Sequence, residues 1–383
     1  MSEQNNQFPD FSVLPSQDVD EEMDFEEKYS NGRTKKDKAN RKFYQKKRFI
    51  IPIVILLIIG ILAGIFVILK NKGKDELTSA AQEVNLTVSD IDGYESQENT
   101  VIYNGVKYKY NENIATILCI GTDNVKTNEA TPGKAGQADG LFVFAMDTKT
   151  GKTSILAIPR DSMTDISLYS NNGNYAGTER KQVCLAYAYG DGKEKSCENT
   201  VDAVSRLLYG IPINSYFEVN MQAVGVITDK LGGVKITPQE DIEGSLGIMY
   251  KKGQTYNILG NEALDFLRYR SKTNVGAAYN RMNNQLVAFL KAMANKLITK
   301  TKENILTPIN CYNAIKGYTI TDIDTSQITF LTSSFLSGSF NTGVEFKNLS
   351  GESKMGANNL VEFTPDKTAM LEAVLQMFYT KID

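Results

Sequence analysis

The sequence predicts an α/β fold, a mixed central sheet flanked by helices on both faces, behind one N-terminal transmembrane helix. Two observations predict the folded part. Short apolar runs bounded by glycine, proline or aspartate alternate with amphipathic stretches of helical period. Strands and helices are also interleaved along the chain, which implies a sheet with helices packed on either side. A third observation, an uncharged run long enough to cross a bilayer, predicts the anchor.

The chain has 383 residues, 42% of them apolar, enough for a full core. Its net charge of -3 argues against nucleic acid as a partner, which calls for a basic domain. There is no histidine, which excludes serine–histidine and cysteine–histidine catalysis and imidazole-held zinc. Chemistry is left to carboxylates, arginines, lysines or a metal held by oxygen.

From the N-terminus, residues 1–48 open with the acidic, apolar-poor "DVDEEMDFEEKYS" and are expected to be a disordered tail. "FIIPIVILLIIGILAGIFVIL", Phe49 to Leu69, carries no charge and reads as the transmembrane helix. A cleaved signal peptide would have a shorter apolar region nearer the start. The preceding "RTKKDKANRKFYQKKR" is dense in lysine and arginine, while "KNKGKDE" behind the run is nearly balanced. The positive-inside rule then puts the tail in the cytoplasm and everything after Leu69 outside, a single-pass protein of the cell membrane.

Residues 70–112 read as a stalk with an accessory hairpin, "NTVIYNGVKYKYN". Strands are expected at "TILCIG" (115–120), "LFVFAMD" (141–147) and "SILAIP" (154–159). "CENTVDAVSRLLYG" reads as a helix closed by Gly210, and "SYFEVN", "MQAVGVITDKLGG" and "VKIT" as strand, helix, strand. "GNEALDFLRYR" reads as a further helix. "AAYNRMNNQLVAFLKAMANKLI" is the longest, with Met282, Leu286, Phe289, Leu290, Met293 and Leu297 on one face. "TPDKTAMLEAVLQMFY" is a final amphipathic helix with Pro365 near its start. Cys184 and Cys197 flank a glycine- and charge-rich loop; they are either two buried thiols or, in an extracytoplasmic domain, a small disulfide.

In open α/β sheets ligands bind beyond the strand ends. Three such ends carry charge: Asp123 after "CIGT", Asp139 just ahead of a strand, and Arg160 in "IPRD". The aspartates are either turn formers or, if their strands are neighbours, a pair able to share a hard cation such as magnesium. Arg268 and Arg270 close a helix, where cations complement the dipole; Arg281 and Gln285 are one turn apart on the next helix. Clustered arginines beside a metal are also what a pyrophosphate needs, since guanidinium binds phosphate oxygens bidentately. "TKTGKT" ends like a phosphate-binding loop, but Met146 stands where its first glycine belongs.

Taken in order, "ILCIGTDN", "GQADGLFVFAMDTKTGKTSILAIPRDSM", "LAYAYGDG", "YFEVNMQAVGVITDKLGGVKI" and "LGNEALDFLRYRS…YNRMNNQLVAFLKAM" resemble the LytR-CpsA-Psr family of cell-wall enzymes, mainly over residues 113–300. The resemblance implies that residues 113–383 form a domain binding a polyprenyl-pyrophosphate-linked glycopolymer of the teichoic acid or capsule type. It implies transfer of that polymer to peptidoglycan. Carried over by position, Asp123 and Asp139 match metal-associated aspartates, implying Mg2+. Arg160, Arg268, Arg270, Arg281 and Gln285 match phosphate contacts, and Asp123 is a candidate base. Four positions depart from the family pattern: Gln137, Gln182, Ala278 and Asn284 stand where the family usually carries charge. Alternatives to the transferase are therefore a non-catalytic binder or regulator of the lipid-linked precursor, and a lipid pyrophosphate hydrolase.

Overall fold

Alternation of side chains along a strand makes one sheet two-faced, and this sheet is apolar on both faces. The computed structural model describes residues 70–75, 77, 84, 86–97, 100–123, 133–244, 246–268, 275–337, 344–356 and 359–382. All belong to the unit Gly64–Asp383. The expected tail (1–48) and span (49–69) lie outside the described residues, among which no helix is long and apolar enough to cross a membrane.

Strands β1 (Tyr94–Gln97), β2 (Thr100–Tyr103) and β3 (Val106–Tyr110) form an antiparallel meander. Then come β4 (Ile114–Thr122), β5 (Ala138–Asp147), β6 (Thr153–Ile158) and the polar hairpin β7 (Met163–Tyr169) and β8 (Tyr175–Gln182). Helix α1 (Glu194–Leu207) precedes β9 (Ser215–Asn220) and α2 (Met221–Lys230). Four short strands follow: β10 (Val234–Ile236), β11 (Ile242–Glu243), β12 (Met249–Tyr250) and β13 (Tyr256–Ile258). Helices α3 (Gly260–Arg268), α4 (Val275–Glu303) and α5 (Thr307–Ile315) lead to β14 (Thr319–Thr321) and α6 (Thr325–Ser337). The chain ends with β15 (Val344–Asn348), β16 (Gly351–Met355), β17 (Val361–Pro365), α7 (Lys367–Phe378) and β18 (Tyr379–Ile382).

The central sheet is six-stranded, in the order β14-β9-β4-β5-β6-β15. β9 runs parallel to β4 and β15 to β6; the other pairs are antiparallel, so the sheet is mixed as expected. On one face Leu118, Ile120, Leu141, Val143, Leu156 and Ile158 pack against α1 and α7. On the other, Cys119, Phe142, Ile155 and Ala157 pack against Leu286, Val287 and Leu290 of α4. Leu118, Leu156, Leu371 and Phe378 are wholly buried, each worth roughly 1.5–3 kcal/mol of transfer free energy.

Local signals fix the element ends. Asn220 accepts from the Gln222 and Ala223 amides and turns β9 directly into α2. After α1, Tyr209 and Gly210 both take positive φ (61° and 86°), so Gly210 does close that helix, at a position where a side chain is strained. The tyrosine tolerates this because it is buried and its hydroxyl donates to the Lys367 carbonyl at 2.9 Å.

Several expectations shift. Asp139 is the second residue of β5 rather than a residue ahead of it, because pairing with β4 extends to Ala138 through an irregularity at Gly121/Thr122. "VKI" pairs antiparallel with β13 outside the central sheet. Pro365 ends β17, and the cap of α7 is Asp366, which accepts from the Ala369 amide at 2.8 Å. The hairpin read in residues 70–112 is present as β2–β3; β1 and the C-terminal β18 extend it on either side, and Leu86, Val101 and Tyr103 join the main core. Cys184 and Cys197 are free and buried, so the thiol alternative holds.

Candidate active site

The polar rim grows out of strand register. β5 and β6 pair with Leu141 opposite Ile158. Two residues further on, Asp139 meets Arg160 across the strand ends. The Arg160 Nη1 donates to Asp139 Oδ1, Nη2 donates to Gln137 Oε1 at 2.5 Å, and Nε lies 3.5 Å from Asp161 Oδ1. Backbone bonds hold the turn rigid: Ser162 N donates to Pro159 O, Cys184 N to Arg160 O, and Phe363 N to Asp161 O. A strand that stops at Pro159 therefore delivers a guanidinium whose three nitrogens are all aimed at protein oxygens.

Neighbouring β4 ends at Thr122, and Asp123 follows it into solvent, 3.7 Å from Arg268 Nη2 at the end of α3. Both side chains are more than half exposed, so the pair is held loosely. Asp123, Asp139 and Arg268 line one end of a cavity of about 170 Å³ whose remaining wall is almost wholly apolar, with Phe142, Phe217, Leu286 and Phe289 prominent. Gly121 and Gly140 face each other across β4 and β5. A Cβ on Gly140 would come 3.7 Å from Leu286 Cδ2, so its absence keeps the gap between sheet and α4 open.

Burial shapes the titrating groups around this end. It raises the Asp161 carboxyl above its ordinary value, with Arg160 pulling the other way. It pushes the Cys119 thiol, which lines the cavity, up to about 12, and the Cys184 thiol up to about 11, so neither is a thiolate nucleophile. On the opposite face of the sheet the Glu218 carboxyl is raised by burial and accepts from Thr122 Oγ1 at 2.5 Å.

Of the expected site residues, the fold brings Asp123, Asp139, Arg160 and Arg268 to one rim. Gln285 sits elsewhere: it lines a second cavity, with Glu240 and Phe266, on the other side of α3 and α4. Arg270 lies outside the described residues, as do the side chains of Arg281, Ala278 and Asn284. Gln182 donates to the Val361 carbonyl at 3.2 Å and Lys181 pairs with Glu179. Gln137 as a partner of Arg160 is an addition. The lining had a signal in the helical stripe of Leu286, Phe289 and Leu290, which sequence assigns equally well to core. Among the described residues no group of three or more histidine, cysteine or acidic side chains is placed to hold a metal alone. Asp123 and Asp139 do present two carboxylates to the same cavity end.

An apolar cavity ending in arginine and aspartate fits the resemblance read from the motifs, and the comparison with known families decides it. The family model for LytR_cpsA_psr matches residues 74–378. The chain belongs to the LytR_cpsA_psr family. Among curated relatives it is 27% identical over 290 residues to the polyisoprenyl-teichoic acid–peptidoglycan teichoic acid transferase TagV of Bacillus subtilis (strain 168), covering 70% of this chain and 64% of TagV. It is 30% identical over 161 residues to the transferase of the same description, TagU, of Halalkalibacterium halodurans, covering 42% of this chain and 46% of that protein. The chain thus spans less than two thirds of the length of these relatives. The crystal structure of B. subtilis TagV superposes with a TM-score of 0.54 at 22% identity, covering 69% of this chain and 96% of TagV's. The structure of TagT bound to LI-WTA gives 0.52 at 20% identity, covering 69% and 89%. These likenesses establish that the LytR_cpsA_psr fold is shared.

Proposed function

We propose that this chain is a membrane-anchored phosphotransferase that attaches a polyprenyl-pyrophosphate-linked glycopolymer, of the teichoic acid or capsule type, to peptidoglycan. The observation that carries the reading is the convergence of Asp123, Asp139 and Arg268 at one end of an apolar cavity, with Arg160 bound to Asp139. A polyprenyl chain is apolar and its head is a pyrophosphate, so cavity and rim complement the two halves of one donor. The names of TagV and TagU support the reaction class.

Phosphoryl transfer is catalysed chiefly by positioning and charge neutralisation. Arg160 and Arg268 hold the phosphate oxygens, and the apolar wall orients the lipid so that its phosphate is the leaving group. An acceptor hydroxyl forms the new P–O bond on the polymer-bearing phosphorus, the P–O–P bridge breaks, and polyprenyl phosphate departs. The hydroxyl proton passes to a carboxylate, for which Asp123, with a side chain 58% exposed against 26% for Asp139, is the accessible one. The donor set fits magnesium, which is bound by one or two carboxylates together with substrate phosphates and water. Asp123 and Asp139 would hold it, and it would offset phosphate charge.

The anchor is the Phe49–Leu69 run, oriented by the lysines and arginines ahead of it, which places the folded unit outside the cell membrane. A second reading, a non-catalytic binder of the lipid-linked precursor, has one observation in its favour: Arg160 is engaged by Asp139, Gln137 and Asp161 together.

The test uses the full chain in nanodiscs with a polyprenyl-pyrophosphate-linked sugar, magnesium and peptidoglycan fragments, followed by mass spectrometry. A phosphodiester-linked adduct that vanishes in Arg160→Ala is expected. Lipid binding without adduct would move the assignment to the binder, and free sugar phosphate to a hydrolase.

A further inference from the structure

Among the large apolar side chains left exposed in the described residues, Ile305 and Leu306 are the two that adjoin in sequence, 53% and 54% exposed in the turn between α4 and α5. Single exposed apolar residues are ordinary, but an adjoining pair on a fixed turn calls for a partner. The turn is fixed because Thr307 Oγ1 donates to the Lys300 and Asn304 carbonyls at 2.9 and 2.7 Å. Around it, "KLITKTKENIL" (296–306) sets Lys296, Lys300 and Lys302 against Glu303 alone. Lys300 pairs with that glutamate at 2.6 Å.

The turn stands at the end of the fold where the N-terminal apolar run arrives. That run stops at Leu69. Residues 70–75 are helical and sit on the start of α6: Lys72 Nζ lies 3.3 Å from Asp324 Oδ2, and the Ser326 carbonyl leaves no room for a Cβ on Gly73. Leu77 is wholly buried against Phe330 and against Ala115, near the start of β4. Asp123, at the polar rim, stands past the other end of β4, roughly 25 Å along the strand. Helix α4 runs away from the rim: Leu286 lies against Gly140, and Lys291 lies over the Phe346 ring, which is level with Phe144 through Ile155. From Lys291 to Glu303 the helix continues for about 18 Å, whereas about 10 Å of β5 remains beyond Phe144. Its C-terminus therefore overhangs the sheet. Helix α5 starts at the same end, since Tyr312, in its last turns, already meets the Phe217 ring and donates to the Ile323 carbonyl, next to Asp324.

We propose that the α4–α5 turn is a second membrane contact, with Ile305 and Leu306 entering the outer leaflet and Lys296, Lys300 and Lys302 lying among anionic phospholipid head groups. Anionic lipids draw lysines to a surface, and apolar side chains beside them sink into the head-group boundary. The occupant is the bilayer because the chain leaves it at Leu69 and the very next residues are fastened to this end of the fold. The contact rests on the reading of Phe49–Leu69 as the anchor. With two points of attachment at one end of the sheet, the rim at the other end is held facing away from the membrane, toward the acceptor.

The chain contains no tryptophan, so Leu306→Trp gives it a single fluorescent reporter. The test compares the full chain in nanodiscs of phosphatidylglycerol and phosphatidylcholine with acyl chains brominated or not. Emission of Leu306→Trp is expected to fall at least about twofold on bromination, as for a side chain at the boundary between head groups and acyl chains. Leu360→Trp, on the exposed turn between β16 and β17, should keep its emission. Unchanged emission of Leu306→Trp overturns the proposal, and so does a blue-shifted emission that bromination leaves untouched, which would mean a protein partner. Quenching that is as strong in phosphatidylcholine alone overturns the part given to the lysines. Should Leu306→Trp fail to fold, Ile305→Trp carries the same test. Phe66→Trp, inside the apolar run, separates the two readings. Quenching there without quenching at Leu306→Trp removes this contact and keeps the anchor; quenching at neither removes both.

Discussion

Arg160 donates to Asp139 across the ends of β6 and β5, and this ion pair stands at the polar rim of the apolar cavity. The same guanidinium is also held by Gln137 and Asp161. In the resting protein it is therefore fixed in place by three protein acceptors.

Arg160→Ala is expected to lower transfer by about 10²–10³-fold, the usual cost of removing one group that neutralises transition-state charge. Arg160→Lys should recover little of it, since a lysine cannot reproduce the fork. Both side chains of the pair are about a quarter exposed, so the melting temperature should hardly move: pairs of this kind contribute about 0–1 kcal/mol. Rates and thermal melts on the same samples separate the roles. A variant that melts normally and transfers within about threefold of wild type, against the far larger loss expected, would remove Arg160 from the site.

Gly140 keeps the cavity open, and substitutions there should grade with size. Its added Cβ would rest at ordinary contact, 3.6 Å from Phe142 Cε2 and 3.7 Å from Leu286 Cδ2. Gly140→Ala should therefore fold and bind lipid. Gly140→Leu should push into the gap between β5 and α4, displacing polyprenyl phosphate while the sheet beneath survives. Native mass spectrometry of retained lipid reads this directly, and full lipid occupancy in folded Gly140→Leu would place the lipid elsewhere.

Removing divalent cations should lower transfer at least about tenfold, with magnesium restoring it, because the phosphate charge then lacks its oxygen-bound counter-ion. Asp123→Asn should shift the magnesium dependence to higher concentration while leaving lipid retention unchanged, since the lipid is held by the apolar wall. Activity indifferent to chelation in the wild type would leave the aspartates as partners of the arginines only.

The apolar strands and the long amphipathic α4 were legible because the signals are local: continuous apolar runs bounded by glycine, proline or aspartate in β4–β6, helical period in α4. The edges of the sheet were not. β14 and β15 are three and five residues long and at most half-buried, so neither carries an alternation that separates it from loop. Arg160 and the two aspartates were legible as strand-end charges, but their pairing needed the register that sets Leu141 opposite Ile158. Gln285 shows what helix spacing leaves open. Its spacing from Arg281 fits a shared helix face, side chains at 285 and 286 diverge, and the packing of α4 over α3 decides which of them lines the cavity at the strand ends.

Glu218 makes a pH-dependent contribution that can be isolated. It is 4% exposed on β9, with Thr122 Oγ1 donating to its Oε1. Burial raises its pKa from the ordinary 4.5, the hydrogen bonds from Thr122 and Ile320 opposing but not cancelling this. Folding therefore takes up a proton at this site over the window between the two values. The stability associated with the protonated form is fully present below the unfolded value and is lost as pH rises through the folded one. Glu218→Gln cannot titrate, so the variant should lack this part of the decline. The readout is the difference between the two pH–Tm curves, because Asp161 and Asp322, also raised by burial, act equally in both proteins. Relative to wild type, the variant should gain as pH rises above the ordinary carboxyl value of 4.5. Parallel curves over that range would mean that Glu218 ionises in the folded protein as it does in water, which its burial beneath Thr122 does not permit.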